Sequence, residues 1–346
     1  MNSFLPSKVQ SLAFASPTVW FLSQCAEARG MQKMWQTIRP DIMASLRESA
    51  IIQSAESSNR IEGVEVARDR LSPLVLGRVK PRDRPEEEIV GYRTALDFIH
   101  ANYSQVKIAP PLIKKLHELC QGGMSGDAGQ WKARDNDVIE ILPNGERLIR
   151  FIPVPAAQVA EFTDQLCTGY RDVVQNNVLP DLIAVAGFVF DFLCIHPFRD
   201  GNGRVSRLLT LLLLYQHGYD VGRYISIERI IESTKDDYYR TLKDSSQGWY
   251  EAQHDLLPWW NYFLSTIKAS YQELKDRVEL APANDTMSSL IRQTIGALVV
   301  PFTISDICRI HPSIDRELIK KVLHAMKIEG LLLPIGKGRA AKWQNL

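Results

Sequence analysis

The chain has 346 residues, of which 45% are hydrophobic and 23% are charged, and these proportions are ordinary for a globular protein. The formal net charge of +1 excludes a general attraction of the whole chain to nucleic acid or membranes. The five cysteines are scattered and form no Cys-x-x-Cys pair, which disfavours a disulfide framework or a zinc site and fits a reducing cytoplasm. The first residues lack a basic stretch followed by an apolar one, so we expect no secretory signal.

The N-terminal part is predicted to be helical. Apolar residues recur at helical spacing over residues 22–29, 31–38 and 41–56. Directly after them, Ser58 and Glu62 are four residues apart, so they lie on one face of a helix. Gly63 is suited to the end of that helix. Such a serine, glutamate and glycine are common at helix ends, so the segment alone predicts only where the helix stops.

A hairpin is predicted after two further helices. The helical pattern returns over 85–103 and 111–120, and His117 on the second helix is interpreted as a packing or surface residue. Between residues 129 and 155, the turn sequence Pro143-Asn144-Gly145 separates two runs rich in β-forming residues. We therefore expect a β-hairpin on the surface of a helical domain.

Two apolar helices are predicted on either side of residue 200. Residues 181–195 are nearly all apolar, which predicts a buried helix that is too short to span a membrane. It should end at His196, because Pro197 disfavours the α conformation of the residue before it. A second buried helix is predicted from Arg204 to the residues before Gly218. Further helices are predicted over 154–171, 236–245 and 250–278.

The stretch between those helices is unusually polar. From His196 to Arg207 it reads His-Pro-Phe-Arg-Asp-Gly-Asn-Gly-Arg-Val-Ser-Arg. A histidine titrates near pH 6.5 and can therefore act as a general base. The Asp200 carboxylate is an oxygen ligand of the kind that Mg²⁺ prefers.

An anion site is predicted in the same stretch. Gly201, Asn202 and Gly203 tolerate positive φ, so successive backbone N–H groups can converge on an anion. Arg204 and Arg207 are three residues apart on the second helix, so they can clamp adjacent phosphates. An ordinary polar turn would explain the glycines, but not a histidine, an aspartate and two arginines between apolar helices. The stretch thus predicts a phosphate chain held on Mg²⁺ beside an activated nucleophile.

The stretch 196–207 fills every specified position of the pattern HxFx(D/E)GNGRxxR and so resembles the signature of the Fic (Fic/DOC) family. Most members of that family transfer AMP from ATP to a hydroxyl side chain of a target protein. The resemblance implies that His196 deprotonates the target hydroxyl, that Phe198 packs into the core and that Asp200 holds Mg²⁺. It also implies phosphate-binding roles for Gly201, Asn202, Gly203, Arg204 and Arg207, the last on the γ-phosphate.

Within this resemblance, Ser58, Glu62 and Gly63 match the family's inhibitory pattern (S/T)xxxE(G/N). Because they precede the motif, the chain resembles the class with an N-terminal inhibitory helix. Glu62 would then pair with Arg207 and keep it from the γ-phosphate. In some relatives the same glutamate supports removal of AMP, and that second activity stays open here.

The predicted hairpin, residues 137–152, corresponds by resemblance to the Fic flap, which holds the target segment by strand addition. Lys132 stands before it at a position where relatives often carry arginine. Tyr239 lies in the region where relatives contact adenine, although aromatic core packing explains it nearly as well.

Residues 279–288 are predicted to link a separate C-terminal unit. Helical patterns over 289–298, 303–310 and 313–329 are followed by two short β-runs, 331–335 and 340–343. This order resembles a winged helix-turn-helix, a fold often used on DNA. Eight basic and four acidic residues follow position 300, which favours a nucleic-acid surface, but winged helices also dock proteins. Both kinds of partner stay open.

We therefore expect a mainly α fold, in which a Fic-fold helical bundle with a small β-hairpin flap is followed by a winged-helix domain. The predicted divisions are an N-terminal helical segment over 1–84, with the inhibitory helix at about 45–63, a Fic catalytic domain over 85–278 and a winged helix-turn-helix domain over 285–346.

The predicted function is that of an autoinhibited protein adenylyltransferase that uses ATP as substrate with Mg²⁺. The alternative is a DNA-binding regulator whose Fic domain senses nucleotide without turnover. The predicted partner is a target protein bound at the 137–152 flap, in the cytoplasm and not on a membrane. A homodimer is a further assembly that the sequence leaves open.

Overall fold

The computed structural model of the chain describes residues 2–10, 12–122, 126–141, 147–279, 286–298, 300–312, 314–336 and 342–345. In chain order its α-helices are α1 (Pro6–Gln10), α2 (Ser16–Ile38), α3 (Pro40–Ile61), α4 (Arg68–Val75), α5 (Arg84–Asn102), α6 (Pro110–Cys120), α7 (Val159–Gln175), α8 (Asp181–Ile195), α9 (Asn202–Gln216), α10 (Ile227–Ser233), α11 (Lys235–Ser246), α12 (Leu257–Glu279), α13 (Thr286–Gly296), α14 (Ile304–Ile310) and α15 (Arg316–Ile328). The strands are β1 (Val138–Ile141), β2 (Arg147–Phe151), β3 (Leu332–Ile335) and β4 (Lys342–Asn345).

The main core is built around α8 and α9. Apart from Asp181 and the buried Asp191, α8 is apolar, and it is enclosed by α7, α9 and α12, while α9 packs in turn on α5 and α6. Although α8 is so apolar, neither it nor any other helix within the described ranges is long and apolar enough to cross a membrane. The loop between α8 and α9 is therefore fastened in the core at both of its ends.

The predicted ends of α8 and α9 are confirmed. α8 stops before Pro197, and His196 adopts the left-handed conformation with a φ of 51°. A residue with a Cβ is strained there, so the surrounding loop has to hold His196 in place. α9 ends close to Gly218, whose φ of 76° reverses the chain.

Several predicted helix boundaries are wrong. The helix predicted over 154–171 is α7, which begins only at Val159, after a short 3-10 helix, and runs on to Gln175. The predicted helices 22–29 and 31–38 form the single helix α2, because the ~1 kcal/mol cost of an internal glycine is offset where α2 packs along α12. The helix predicted from residue 250 begins only at Leu257. Turns with Gly248 at a φ of 70° and Ala252 at a φ of 55° come first.

α3 connects distant parts of the molecule. It begins at Pro40, a residue suited to the first turn of a helix, and it runs unbroken to Ile61. Gly63 follows with a φ of 81°, which confirms the predicted helix end. α3 packs against α5 and α10 of the main core and also against α13.

The predicted flap hairpin is confirmed. β1 and β2 pair antiparallel, with Ile139 opposite Ile149 and Ile141 opposite Arg147. The turn sequence Pro143-Asn144-Gly145 lies outside the described residues.

The last part of the chain has a core of its own. α13, α14, α15 and the antiparallel pair of β3 and β4 surround Ile295, Ile307 and Leu323, and β4 also bridges Phe302 through Trp343. We call this unit, residues 286–345, the C-terminal module. Its helices and strands follow the predicted order, and most of the predicted turn between β3 and β4 lies outside the described residues.

Candidate active site

The loop after α8 is held to α6 by two stacked rings. Phe198 is fully buried, and the His117 ring lies parallel to it at a centroid distance of 3.8 Å. His117 Nδ1 accepts a hydrogen bond from the Gly129 N–H at 2.9 Å, so its Nε2 can donate to the Asp200 carbonyl oxygen at 3.1 Å. His117 is thus a buried support of the loop. Its position on an amphipathic helix gave no sign of this contact.

The anion cradle consists of one glycine followed by a helix N-terminus. Three residues of the loop tolerate positive φ, and of these Gly201 alone adopts it, at 81°, while Asn202 and Gly203 already belong to α9. The reason is that Asn202 Oδ1 accepts from the Phe198 N–H at 2.9 Å and its Nδ2 donates to the Phe198 carbonyl at 2.8 Å. These bonds close the loop and start the helix. The first N–H groups of a helix favour an anion.

Arg207 is buried against the end of α3. Its Nε donates to Ser58 Oγ at 2.8 Å, and its Nη2 donates to the Ser58 carbonyl at 2.8 Å and to Glu62 Oε1 at 2.7 Å. Burial opposes the charge of Arg207, but the Glu62 carboxylate together with Tyr238 and Tyr92 raises the pKa of the guanidinium. The structure therefore brings Ser58, Glu62 and Arg207 into one contact, although they are far apart in sequence.

The Glu62 carboxylate lies directly on the first turn of α9. A Cβ added to Gly203 would stand 2.1 Å from Glu62 Oε1 and 3.3 Å from Arg207 Nη1. Nη1 is buried and makes no hydrogen bond to any described residue. Glycine at position 203 leaves room for the carboxylate, and two negative groups cannot occupy the same cradle.

Arg204 has a carboxylate partner that the sequence reasoning missed. Its Nη1 lies 2.7 Å from Glu88 Oε2, and both side chains are almost fully buried. Arg84 bonds to the other oxygen of Glu88 at 2.8 Å and to Asp200 Oδ2 at 3.0 Å. The spacing of Arg84 and Glu88 predicts a helical pair, but only the packing of α5 on α9 adds Arg204 to it.

Asp200 is the oxygen donor that a divalent ion would meet first. Its side chain is half exposed, and its Oδ1 accepts a 2.6 Å hydrogen bond from the Gly201 N–H. Among the residues that the structure describes, no three His, Cys, Asp or Glu side chains converge on one point. Asp200 is thus the residue of the motif that could hold a divalent ion, and its carboxylate oxygens are donors of the kind that Mg²⁺ prefers.

His196 stands where it can accept a proton. Burial and then the charge of Lys132 lower the pKa of His196 to about 4, so the imidazole is neutral at pH 7. Lys132 is buried beside the partly exposed His196, and its Nζ donates to Asn136 Oδ1 at 2.7 Å. Its backbone N–H donates to the Pro197 carbonyl at 2.9 Å, which ties the segment before the flap to the motif.

A cavity of about 780 Å³ joins these parts. Its lining includes His196, Gly203, Glu62 and the flap residue Ile139. Tyr239 also faces it, and two basic groups lie near the Tyr239 ring: the guanidinium of Arg150 at 5.1 Å and Lys235 Nζ at 5.8 Å. The motif, the flap and the end of α3 thus meet at one space.

Comparisons with known proteins agree with this geometry. The sequence model of the Fic/DOC family matches residues 107–214, which include the flap and the whole motif. A Fido domain-containing protein of Dictyostelium discoideum is 31% identical over 111 residues, which make up 32% of this chain and 71% of that protein. The chain belongs to the Fic/DOC family. Its Fic motif spans the end of α8, the loop and the first turns of α9.

Solved structures of Fic proteins share the fold. A Fic family protein of Desulfovibrio desulfuricans aligns over 97% of both chains with a TM-score of 0.61 at 21% identity. A Fic domain-containing protein of Bacteroides thetaiotaomicron covers 75% of this chain and 98% of its own, with a TM-score of 0.62 at 20% identity. Fic-1 of C. elegans covers 76% and 73%, with a TM-score of 0.58 at 20% identity. At these identities the likeness shows the Fic fold alone.

Proposed function

We propose that this Fic protein transfers AMP from ATP to a Ser, Thr or Tyr hydroxyl of a target protein, and that Glu62 keeps it inactive. The observation that carries the proposal is that a neutral His196, the cradle at Gly203 and the Glu62 carboxylate face the same cavity of about 780 Å³. A cavity of this size takes a nucleotide.

The transfer needs a base beside the hydroxyl and positive charge beside the phosphates. His196 accepts the hydroxyl proton while the target oxygen attacks the α-phosphorus, and the bond from that phosphorus to the oxygen bridging to the β-phosphate breaks. Pyrophosphate leaves, and AMP remains on the target. Arg204, Arg207 and the first N–H groups of α9 neutralise the charge on the phosphates. Mg²⁺ held by Asp200 would supply further positive charge.

Glu62 and the γ-phosphate compete for Arg207. A charge-assisted hydrogen bond of this kind contributes about 1.5–3 kcal/mol, which corresponds to a roughly ten- to hundred-fold smaller active population. Because the Glu62 side chain is 31% exposed, solvent screening places the effect toward the lower end. In this proposal ATP binds productively only after Glu62 has moved.

The flap supplies the place for the target. Ile139, Leu148 and Ile149 are exposed on β1 and β2, and Ile139 also borders the cavity. A target segment that adds to the flap as a further strand would pass close to His196. In this proposal, apolar contacts with the flap select the sequence of the target segment, and the residues of the Fic motif do not.

The test is transfer of labelled AMP from ATP with Mg²⁺ to the proteins of a cell lysate. Glu62→Gly is expected to label its target at least tenfold more than wild type, and Glu62→Gly combined with His196→Ala is expected to label nothing. Glu65→Gly removes a nearby exposed carboxylate and serves as the matched control, with wild-type labelling.

Two results would count against the proposal. Labelling by Glu62→Gly at or below the wild-type level contradicts inhibition by this glutamate. Complete absence of transfer, while ATP still binds, would instead favour a regulator whose Fic domain senses nucleotide without turnover.

A further inference from the structure

α15 separates its residues into an apolar and a basic face. Its apolar face is buried in the core of the C-terminal module and consists of Ile319, Val322, Leu323 and Met326. Its opposite face is exposed and carries Arg316, Lys320, Lys321, His324 and Lys327. Because residues three and four apart share one side of a helix, these side chains form a continuous stripe. We call it the α15 stripe.

The positive charge of the α15 stripe is left largely unneutralised. Glu317 is the one acidic residue within α15, and it pairs with Lys320 at 2.6 Å. Arg316, Lys321 and Lys327 form no ion pair with any residue in the described ranges. A partner that buries these three cations has to supply many negative groups.

The packing of the C-terminal module keeps α15 rigid and its stripe free. α14 and α13 pack behind α15, and β3 lies beside it. His311, in the connection between α14 and α15, is buried and its Nε2 lies 2.7 Å from Thr294 Oγ1 on α13. The stripe is therefore presented on a preorganised helix, which limits the entropy lost on binding.

We propose that the α15 stripe binds the backbone phosphates of duplex DNA. The major groove of B-DNA, about 12 Å wide, admits an α-helix, whereas the deep, narrow major groove of an RNA duplex does not. Within α15, Ile328 at the C-terminal end is the one strongly exposed apolar residue on the face of the stripe, whereas Leu333 and Ile335 lie on β3. A single isoleucine beside four arginine and lysine residues suits a phosphate backbone better than a protein interface, which needs a cluster of apolar or aromatic anchors.

The test is binding of the full chain to a dye-labelled DNA duplex of arbitrary sequence, about 30 base pairs long, at several salt concentrations. Contacts from the four arginine and lysine residues of the stripe predict a slope of log K against log salt of about −3 to −4. The double variant Lys320→Ala/Lys321→Ala should bind at least about tenfold more weakly and lower the slope by about 2.

The chain offers a matched control. Lys114 and Lys115 form a second lysine pair, on α6, in which Lys115 also bonds to a nearby glutamate, Glu118, at 3.0 Å. Lys114→Ala/Lys115→Ala should leave DNA binding unchanged. Absence of binding at low salt, equal losses in both double variants, or better competition by an RNA duplex than by DNA would each overturn the proposal.

A second inference rests on a different contact of the C-terminal module. α13 packs against α3, and a cavity of about 60 Å³ remains between the module and α3, bordered by Ala44, Glu48, Leu290 and His311. Glu48 Oε2 is buried and makes no hydrogen bond to a described residue, and burial raises the pKa of Glu48 to about 7. The contact is therefore imperfect and open to improvement or disruption.

The geometry points to α3 as a mechanical link: the C-terminal module holds α3 where Glu62 reaches Arg207. α3 is one continuous helix that ends at Ile61, so Glu48 lies about 20 Å along its axis from the residue before Glu62. A shift of its first half moves its last turn. This inference rests on the proposed inhibition by Glu62.

Two substitutions in the full chain test the link in opposite directions. At pH 8, above the raised pKa of Glu48, Ala44→Glu adds a like charge one turn from Glu48, loosens the contact and should raise AMP transfer about fivefold. Glu48→Leu removes the unpaired carboxylate, tightens the contact and should lower transfer. In a Glu62→Gly background neither substitution should change transfer, because no inhibitory pair remains.

The outcomes separate this inference from the proposed function. Equal effects in both backgrounds would overturn the link, as would unchanged transfer in Ala44→Glu while hydrogen exchange shows that α13 has loosened. A Glu62→Gly protein that is no more active than wild type would instead overturn the proposed inhibition.

Discussion

The two arginines of the motif differ in how their carboxylate partners are held. Arg204 and Glu88 meet at 2.7 Å with side chains that are 2% and 5% exposed. Arg207 and Glu62 meet at the same distance, but the Glu62 side chain is 31% exposed. Glu88 comes from the first turns of α5 inside the bundle, whereas Glu62 follows the last turn of α3 at the cavity.

The difference shows that an arginine–carboxylate pair can either support the structure or act as a reversible contact, depending on how deeply its carboxylate is buried. Removal of Glu88 would leave the Arg204 charge short of a buried partner, so this pair supports the structure of the site. Glu62 can swing into the cavity and reach water, so its pair with Arg207 can open while the bundle stays folded. An ion pair that opens and closes requires solvent-accessible space into which the carboxylate can move.

The largest expected effect is on stability at Glu88. Glu88→Ala should lower the free energy of unfolding by about 3–5 kcal/mol, because it breaks a buried ion pair on one side only. Urea denaturation followed by circular dichroism measures the loss. Arg93→Ala on the exposed side of α5 is the control, with a change below about 0.5 kcal/mol. A loss at Glu88 no larger than the control's would contradict a supporting role.

The corresponding substitution at Glu62 should change activity much more than stability. Glu62→Ala is expected to raise AMP transfer roughly tenfold, as the proposed competition requires, while it lowers the free energy of unfolding by only about 1.5 kcal/mol. The two quantities are measured on the same preparation. A large loss of stability with no gain in AMP transfer would mean that the Glu62–Arg207 pair supports the structure, as the Glu88–Arg204 pair does.

A smaller effect is expected at Ser58. Its hydroxyl accepts a hydrogen bond from Arg207 Nε at 2.8 Å and is buried. Ser58→Ala leaves that N–H unpaired when Arg207 faces Glu62, so transfer should rise a few-fold, and less than in Glu62→Ala. Ser57→Ala, the same change one residue earlier, is the control. Equal transfer in both serine variants would remove Ser58 from the inhibitory contact.

The smallest effect concerns pH. Because the pKa of His196 is lowered to about 4, the histidine is a neutral base at higher pH and becomes protonated only as the pH falls toward 4. The kcat/KM of Glu62→Gly should therefore stay level on the acid side down to about pH 5. Lys132→Met removes a nearby positive charge, which should move this acid limb upward. An acid limb near pH 6.5 in the parent protein would contradict the lowered pKa.

Several predictions could be made from local sequence because their causes are local. Pro197 ends α8 through its effect on the preceding residue, and Gly63 and Gly218 end their helices through their own backbone freedom. The flap follows from two β-rich runs around a turn sequence. Tolerance of positive φ is also a local property, but its use is not: three residues of the motif tolerate it, and Gly201 alone adopts it because the side-chain bonds of Asn202 start α9 at the next residue.

By itself the sequence determined the helical fold, the flap, the motif with its candidate base, metal donor and arginines, and the likeness to the Fic family. Only the tertiary structure decided that Glu88 holds Arg204, that His117 stacks on Phe198 and that the C-terminal module rests on α3. The physical reason is distance along the chain. Capping, turns and helical faces depend on residues within about four positions, whereas buried ion pairs, stacked rings and helix contacts form only when packing brings remote segments together.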